Sequence, residues 1–223
     1  MYIQLNSQIL YYEKHGEGET PFLLVHGNGE SHEIFDELIP KLAEDYTVYA
    51  IDSRGHGKSA TPKELHYEDM AADMAAFIDA LSLKSPLFYG FSDGGIVGLL
   101  LAIQYPSKLA ALMISGANLE PSDLRGSDLR RVKKEHKNNP CEFTRLLLEE
   151  PHISVEQLAQ INVPTLVLAG EKDIIREKVT RKIAANIPDS TLVIVPGEDH
   201  GSYAVHSVKL YSLLKDFLQS ITQ

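Results

Sequence analysis

The chain has 223 residues, 43% of them hydrophobic, and a formal net charge of −10. That length and apolar fraction are sufficient for a single domain over residues 1–223 with a substantial buried core. The negative charge argues against nucleic acid as a partner, because phosphate binding requires a basic surface, and the apolar stretches are too short to span a membrane.

The opening residues and the cysteine content favour one cellular compartment. Residues 1–5 (MYIQL) already have the pattern of a strand, and no basic leader with an apolar core precedes them. The single cysteine, Cys141, permits no internal disulfide and fits a reducing environment. We therefore expect a cytoplasmic protein with no membrane partner.

Apolar runs alternate along the chain with helix-like patterns. The strands are predicted as a hairpin over 2–13 turned at Asn6-Ser7, then 22–26, 46–51, 86–91, 110–115, 164–170 and 191–195. The helices are predicted at 34–44, 67–81, 176–186 and 203–219, with a further buried helix that follows strand 86–91 and ends at 105. This alternation predicts an α/β fold: a mostly parallel sheet of about eight strands with helices on both faces.

The fifth predicted strand, 86–91, leads into the letters GFSDG at residues 90–94. A serine at a tight strand-to-helix corner is how many enzymes expose an activated nucleophile, and glycines two residues before and after it avoid steric collisions. Asp93 is the rival nucleophile, but that register would put the bulky Phe91 two residues upstream. We therefore assign Ser92 as the nucleophile.

A serine hydroxyl needs a general base, and the base needs an orienting acid. Asp173 and His200 each follow a predicted strand, at the sheet edge where open α/β folds bind ligands. Asp199 adjoins His200, but neighbouring side chains point in different directions, so Asp173 is the preferred acid. The catalytic residues are therefore expected to be Ser92, Asp173 and His200.

In this order of nucleophile, acid and histidine, the chain resembles the α/β-hydrolase superfamily. The segment LLVHGNG at 23–29 resembles the family's oxyanion loop, and DSRGHGKS at 52–59 resembles a second family segment. The resemblance implies an oxyanion hole from the amides of Asn28 and Asp93, with Gly29 as the alternative to Asn28 and the Asn28 side chain as another candidate donor. It also implies that His26 and His56 support loops.

Three partial motifs fail on inspection. The letters GHGKS at 55–59 lack the first glycine of a phosphate-binding loop, and HEIFD at 32–36 lacks the second histidine of a zinc protease. The letters GNG at 27–29 lack the third glycine of a dinucleotide fingerprint. We therefore expect no cofactor and no metal.

The segment 118–161, here called the cap, interrupts the alternation. In the family, an insertion at this point covers the active site, so we expect two or three small helices above a small or open pocket. We expect some residues of its apolar side to line the pocket and the others to form the core of the cap. That apolar side comprises Leu119, Leu124, Leu129, Val132, Phe143, Leu146 and Leu147. The cap also contains a run of basic residues: Arg125, Arg130, Arg131, Lys133, Lys134 and Lys137. We interpret this run as a solvent-exposed helix face, with the alternative that one of these side chains points inward and binds an anionic substrate.

The resemblance implies a serine hydrolase, carboxylesterase-like, whose partner is a small-molecule ester or acyl compound. The same triad also serves carbon–carbon bond hydrolases, thioesterases, perhydrolases and lyases, and these alternatives stay open because they differ in pocket shape. A non-enzymatic ligand-binding protein on the same scaffold is the alternative from another class.

Overall fold

A computed structural model describes residues 1–5 and 8–221. The predicted turn at Asn6-Ser7 lies outside these residues. No helix in the described ranges is both long enough and apolar enough to cross a membrane.

Within those ranges, eight strands form one sheet. The strands are β1 Tyr2–Leu5, β2 Gln8–His15, β3 Pro21–Val25, β4 Thr47–Asp52, β5 Leu87–Phe91, β6 Ala111–Ser115, β7 Thr165–Gly170 and β8 Ser190–Val195. Their order in the sheet is β1-β2-β4-β3-β5-β6-β7-β8. The first strands pair antiparallel, β1 with β2 and β2 with β4, and all further pairs are parallel. The predicted fold class, a mostly parallel sheet of about eight strands, is confirmed.

Helices cover both faces of this sheet. They are α1 Ile39–Leu42, α2 Tyr67–Ala80, α3 Asp93–Gln104, α4 Gly126–Asn138, α5 Glu142–Glu149, α6 Val155–Leu158, α7 Glu177–Asn186 and α8 Lys209–Ile221. Apolar residues of α2, α3 and α7 pack on one face, and those of α1 and α8 pack on the other. Every residue of β5 is buried, as expected of a central parallel strand enclosed by two helical layers.

Two predicted helices differ from those observed. The helix expected at 34–44 is a 3₁₀ turn at His32–Phe35 followed by the short α1. Pro40 lies in the first turn of α1, where its missing N–H is harmless, whereas it would interrupt one continuous helix. The C-terminal helix begins at Lys209 instead of 203 because His206 has φ +46°, which a right-handed helix cannot include.

The cap lies between β6 and β7 and contains α4, α5 and α6 after a 3₁₀ turn at Pro121–Asp123. Side chains of α5 hold it to the loop that precedes α2. Glu142 Oε2 accepts the Leu65 N–H at 3.0 Å, and Arg145 donates to the Leu65 carbonyl at 2.6 Å. Both backbone groups of Leu65 are thus bound by one short helix of the cap.

Candidate active site

Ser92 forms a one-residue corner between β5 and α3. Its backbone has φ 53° and ψ −114°, a region that residues with a Cβ rarely occupy. A Cβ on Gly90 would lie 2.0 Å from the Gly94 carbonyl oxygen, and one on Gly94 would lie 2.1 Å from the Val25 carbonyl oxygen. Both positions therefore require glycine, for the steric reason that the sequence suggested.

The side chains of Ser92, His200 and Asp173 meet at the carboxyl ends of three strands. His200 Nε2 lies 3.0 Å from Ser92 Oγ, and His200 Nδ1 lies 2.7 Å from Asp173 Oδ1. Asp173 is buried, and its Oδ1 also accepts the Ile175 N–H at 2.8 Å. The three groups form a continuous hydrogen-bonded line in which the carboxylate can fix the tautomer of the imidazole and the imidazole can accept the serine proton.

Asp199 is not part of this line. Its carboxylate accepts the backbone N–H groups of Gly201 and Ser202 at 3.1 and 2.9 Å, and these bonds lower the pKa of the carboxyl. Asp199 therefore braces the turn that carries His200.

Gly116, directly after β6, is a site residue that sequence reasoning missed. It has φ +65°, and a Cβ there would lie 2.6 Å from Cε1 of His200. The imidazole thus occupies space that any other residue at 116 would fill. The available signal was a glycine at the carboxyl end of a predicted strand, but His200, for which it leaves room, lies more than eighty residues away in the chain.

The loop after β3 and the first turn of α3 meet beside Ser92. Residues 27–30 form a turn in which Glu30 N–H donates to the Gly27 carbonyl at 3.4 Å and Gly29 has φ +72°. The Asn28 side chain donates to Asp93 Oδ2 at 2.9 Å and to the Phe143 carbonyl at 3.3 Å. The side-chain amide of Asn28 is thus occupied within the protein, whereas its backbone N–H has no acceptor among the described residues.

Asp93 supplies the second backbone N–H, in the first turn of α3. Among the described residues, the backbone N–H groups of Asn28 and Asp93 have no hydrogen-bond acceptor. The helix dipole favours negative charge at the Asp93 position. Burial raises the pKa of the Asp93 carboxyl, although the Asn28 hydrogen bond opposes this effect.

His26 and His56 lie behind the oxyanion loop. His26 Nε2 accepts the Ser53 N–H at 3.1 Å, so the ring proton is on Nδ1, which donates to the Gly27 carbonyl at 2.8 Å. Burial lowers the pKa of His26 to about 4, so the ring is neutral near pH 7. His56 packs between His26 and Phe143 with ring centroids 5.0 and 4.7 Å away. Neither imidazole hydrogen-bonds the Ser92–His200–Asp173 line.

A pocket of about 280 Å³ opens above Ser92. Of the predicted apolar cap residues, Leu124, Val132 and Leu147 line it, whereas Leu119 and Leu146 are buried in the core. The full lining is Asn28, Glu30, Phe91, Ser92, Leu124, Arg131, Val132, Leu147, Ile174, His200, Gly201 and Val205. Larger cavities next to β2 and next to α8 contain none of the three predicted catalytic residues.

All six basic residues of the cap run are exposed. Arg131 alone among them lines the pocket, and it pairs with Asp128 at 3.3 Å. The pocket lining also contains the acidic residue Glu30, which the sequence analysis did not identify as a candidate. Within the described part of the chain, no group of three or more histidine, cysteine or acidic side chains is arranged to hold a metal ion.

A mostly parallel sheet with a serine at a strand-to-helix corner, followed along the chain by an aspartate and a histidine, is typical of the alpha/beta hydrolase fold. The model of the alpha/beta hydrolase fold family matches residues 20–135, and the chain belongs to this family. The predicted resemblance is therefore confirmed.

Several proteins similar to this chain are hydrolases. The human serine hydrolase BPHL is 28% identical over 248 aligned residues, which cover 97% of this chain and 85% of the relative. The pimeloyl-[acyl-carrier protein] methyl ester esterase of Pectobacterium atrosepticum is 24% identical, with 88% of this chain and 93% of the relative covered. These similarities support hydrolase function for the chain.

Solved structures support the same fold. A thermophilic esterase from Thermogutta terrifontis superimposes with a TM-score of 0.81 over 100% of this chain and 99% of its own, at 22% identity. At that identity the likeness concerns the fold alone.

Proposed function

We propose that this protein is a serine hydrolase, carboxylesterase-like, that cleaves a small ester or related acyl compound through an acyl-enzyme intermediate. The observation that carries the proposal is the hydrogen-bonded line from Ser92 Oγ through the His200 imidazole to Asp173 Oδ1. Family membership and hydrolase relatives support the same conclusion.

In the first half-reaction, Ser92 Oγ attacks the substrate carbonyl carbon while His200 Nε2 accepts the hydroxyl proton. Collapse of the tetrahedral intermediate breaks the bond to the leaving group, and His200 returns the proton to the departing oxygen. In the second half-reaction, His200 removes a proton from water, which attacks the acyl carbon. The bond from that carbon to Ser92 Oγ then breaks, His200 returns the proton to Oγ, and the acid is released. Asp173 stabilises the imidazolium that forms in both halves.

The negative oxygen of each tetrahedral intermediate is proposed to bind the backbone N–H groups of Asn28 and Asp93. Two features support this role. Neither group has an acceptor in the described residues, and Asn28 lines the same pocket as Ser92 while Asp93 directly follows Ser92 in the chain. Removing one donor of this kind typically costs a factor of about 10²–10³ in kcat.

The pocket supports a small substrate. Its volume of about 280 Å³ is close to the lower end of the usual range for small-molecule sites, roughly 300–1,000 Å³. The walls contributed by Leu124, Val132 and Leu147 are apolar, which suits a short hydrocarbon part of an ester.

The test is a hydrolysis assay with p-nitrophenyl esters from acetyl to decanoyl, with Ser92→Ala in parallel. We expect turnover of the short esters and its loss in the variant. Turnover that persists in a clean preparation of folded Ser92→Ala would refute the nucleophile. If wild-type protein reacts at Ser92 with a serine-directed phosphonate but turns over no ester, the ester part of the proposal is wrong.

A further inference from the structure

Glu30 places a carboxylate next to the nucleophile. The Cβ that glycine lacks at position 27 would lie 2.7 Å from Glu30 Oε2 and 3.1 Å from Ser92 Cβ, so the two side chains flank the same point. Glu30 is half-buried, and its Oε2 accepts the Gly27 N–H at 3.0 Å. The carboxylate is therefore fixed at the wall of the pocket instead of extending into solvent.

Within residues 1–5 and 8–221, no cationic side chain is paired with the Glu30 carboxylate. Among the described residues it forms no ion pair, and the Gly27 N–H is its hydrogen-bond donor. Arg131, the other charged side chain at the pocket, has 68% of its side chain exposed and is neutralised by Asp128. The remaining lining is polar and uncharged or apolar.

The titratable groups that act on Glu30 are His200, Asp93 and His206. Burial raises the pKa of the Glu30 carboxyl and Asp93 adds to this, whereas the Gly27 hydrogen bond and the two histidines oppose it. The pocket therefore holds a carboxylate that is incompletely solvated and incompletely neutralised, a condition that a cation relieves.

An ionised carboxylate at this place also affects the reaction. The tetrahedral intermediate of a neutral ester carries a negative oxygen close to Glu30, and the two like charges repel. A positive group on the substrate, held between them, removes that repulsion and is attracted to both charges. Uncharged substrates lack this compensation.

We infer that Glu30 is a specificity-determining residue that selects esters carrying an ammonium group a few atoms from the scissile carbonyl. The ammonium would bind the carboxylate oxygen of Glu30 that is not hydrogen-bonded to Gly27. This inference rests on the proposed ester hydrolysis and deepens it by naming the charge of the substrate.

The experiment compares isosteric esters that differ in one charge. On the acyl side these are p-nitrophenyl 3-aminopropanoate and p-nitrophenyl butanoate, and on the alcohol side butyrylcholine and 3,3-dimethylbutyl butanoate. The measured quantity is the ratio of kcat/KM for the charged over the neutral ester at about pH 8, after each is divided by its hydroxide-catalysed rate constant. Any change that affects both esters equally cancels in this ratio.

Glu30→Gln is the decisive variant, because its amide oxygen still accepts the Gly27 N–H while the charge is removed. Glu37→Gln, at an exposed position outside the pocket, makes the same change in net charge and is the control. In at least one pair we expect the wild-type ratio to exceed one by about tenfold or more, to fall towards one in Glu30→Gln and to stay unchanged in Glu37→Gln.

Wild-type ratios of one or less in both pairs overturn the inference, and this outcome needs no variant to fold. A ratio that Glu30→Gln leaves unchanged also overturns it. So does a preference for p-nitrophenyl hydrogen succinate that Arg131→Gln abolishes, because the pocket would then select anions. Turnover of neutral esters that depends on Ser92 keeps the proposed function intact in each of these cases, whereas absence of turnover for every ester overturns both.

Discussion

The Asn28 side chain is hydrogen-bonded to the Asp93 carboxylate, with Nδ2 and Oδ2 2.9 Å apart. This bond joins the loop after β3 to the first turn of α3, and each of these segments contributes one backbone N–H to the proposed oxyanion hole. The distance between the two N–H groups is therefore fixed by a side-chain contact before substrate binds. Preorganisation of this kind avoids a reorganisation cost during the reaction.

Asn28→Ala should lower kcat by about tenfold or more, because the loop and the helix then lose the bond that sets their spacing. Its backbone N–H remains, so we expect a smaller loss than removal of a donor would cause. Steady-state kinetics on the best p-nitrophenyl ester measures the effect. A wild-type kcat in this variant would mean that the bond does not position the oxyanion hole.

Ser92→Gly should be more stable than Ser92→Ala by about 1 kcal/mol. The corner at φ 53° and ψ −114° strains any residue with a Cβ, and relief of that strain exceeds the extra entropy of glycine in the unfolded chain. Urea denaturation of the two inactive variants gives the difference directly. Equal urea midpoints for the two variants would show that the backbone at position 92 is not strained by a Cβ.

Gly116→Ala should reduce kcat/KM by about 10² or more, because the new methyl group would overlap the His200 imidazole. Gly197→Ala is the matched control: Gly197 has φ +76°, but a Cβ there has no heavy atom within 4 Å. Both substitutions strain the backbone, and only the first displaces the base. Similar activity losses in the two variants would contradict a clearance role for Gly116.

His26 should make the free energy of unfolding depend on pH. Its pKa is about 4 in the folded protein and about 6.5 when unfolded, so the unfolded state binds the proton first as pH falls. The stabilisation from the neutral folded ring is complete above about pH 6.5 and decreases by about 3 kcal/mol down to about pH 4.

Urea unfolding of wild type and His26→Asn between about pH 7 and pH 5 measures this contribution as a difference in slope. The wild-type free energy should fall more steeply, whatever the absolute stability of the variant. Parallel slopes would be inconsistent with a neutral buried His26.

The features that the sequence predicted correctly depend on local patterns. The glycines at 90 and 94 predict the tight corner, and the apolar runs predict buried parallel strands. The candidate site residues lie at the carboxyl ends of these strands. The helix expected at 34–44 was wrong because apolar periodicity outweighed Pro40. The early start of the last helix was wrong because nothing in the sequence signals the left-handed backbone of His206.

Glu30 and Gly116 could not be found by sequence reasoning for a different reason. Their significance comes from segments distant in the chain: Glu30 approaches Ser92 across Gly27, and Gly116 makes room for His200. The hydrogen bonds of the Asn28 side chain, which support the proposal that its backbone N–H is the donor, likewise depend on neighbours in space.

The two bonds from α5 to Leu65 affect how a molecule enters and leaves. Because Glu142 and Arg145 bind both the N–H and the carbonyl of one residue, α5 cannot tilt away from the sheet without breaking both. While both bonds hold, a substrate must enter through the open side of the pocket, whose lining includes the exposed Arg131, and the width of that opening limits the cross-section of the substrate. A change of substrate specificity would then come from substitutions in the pocket lining, with α5 staying in its present position.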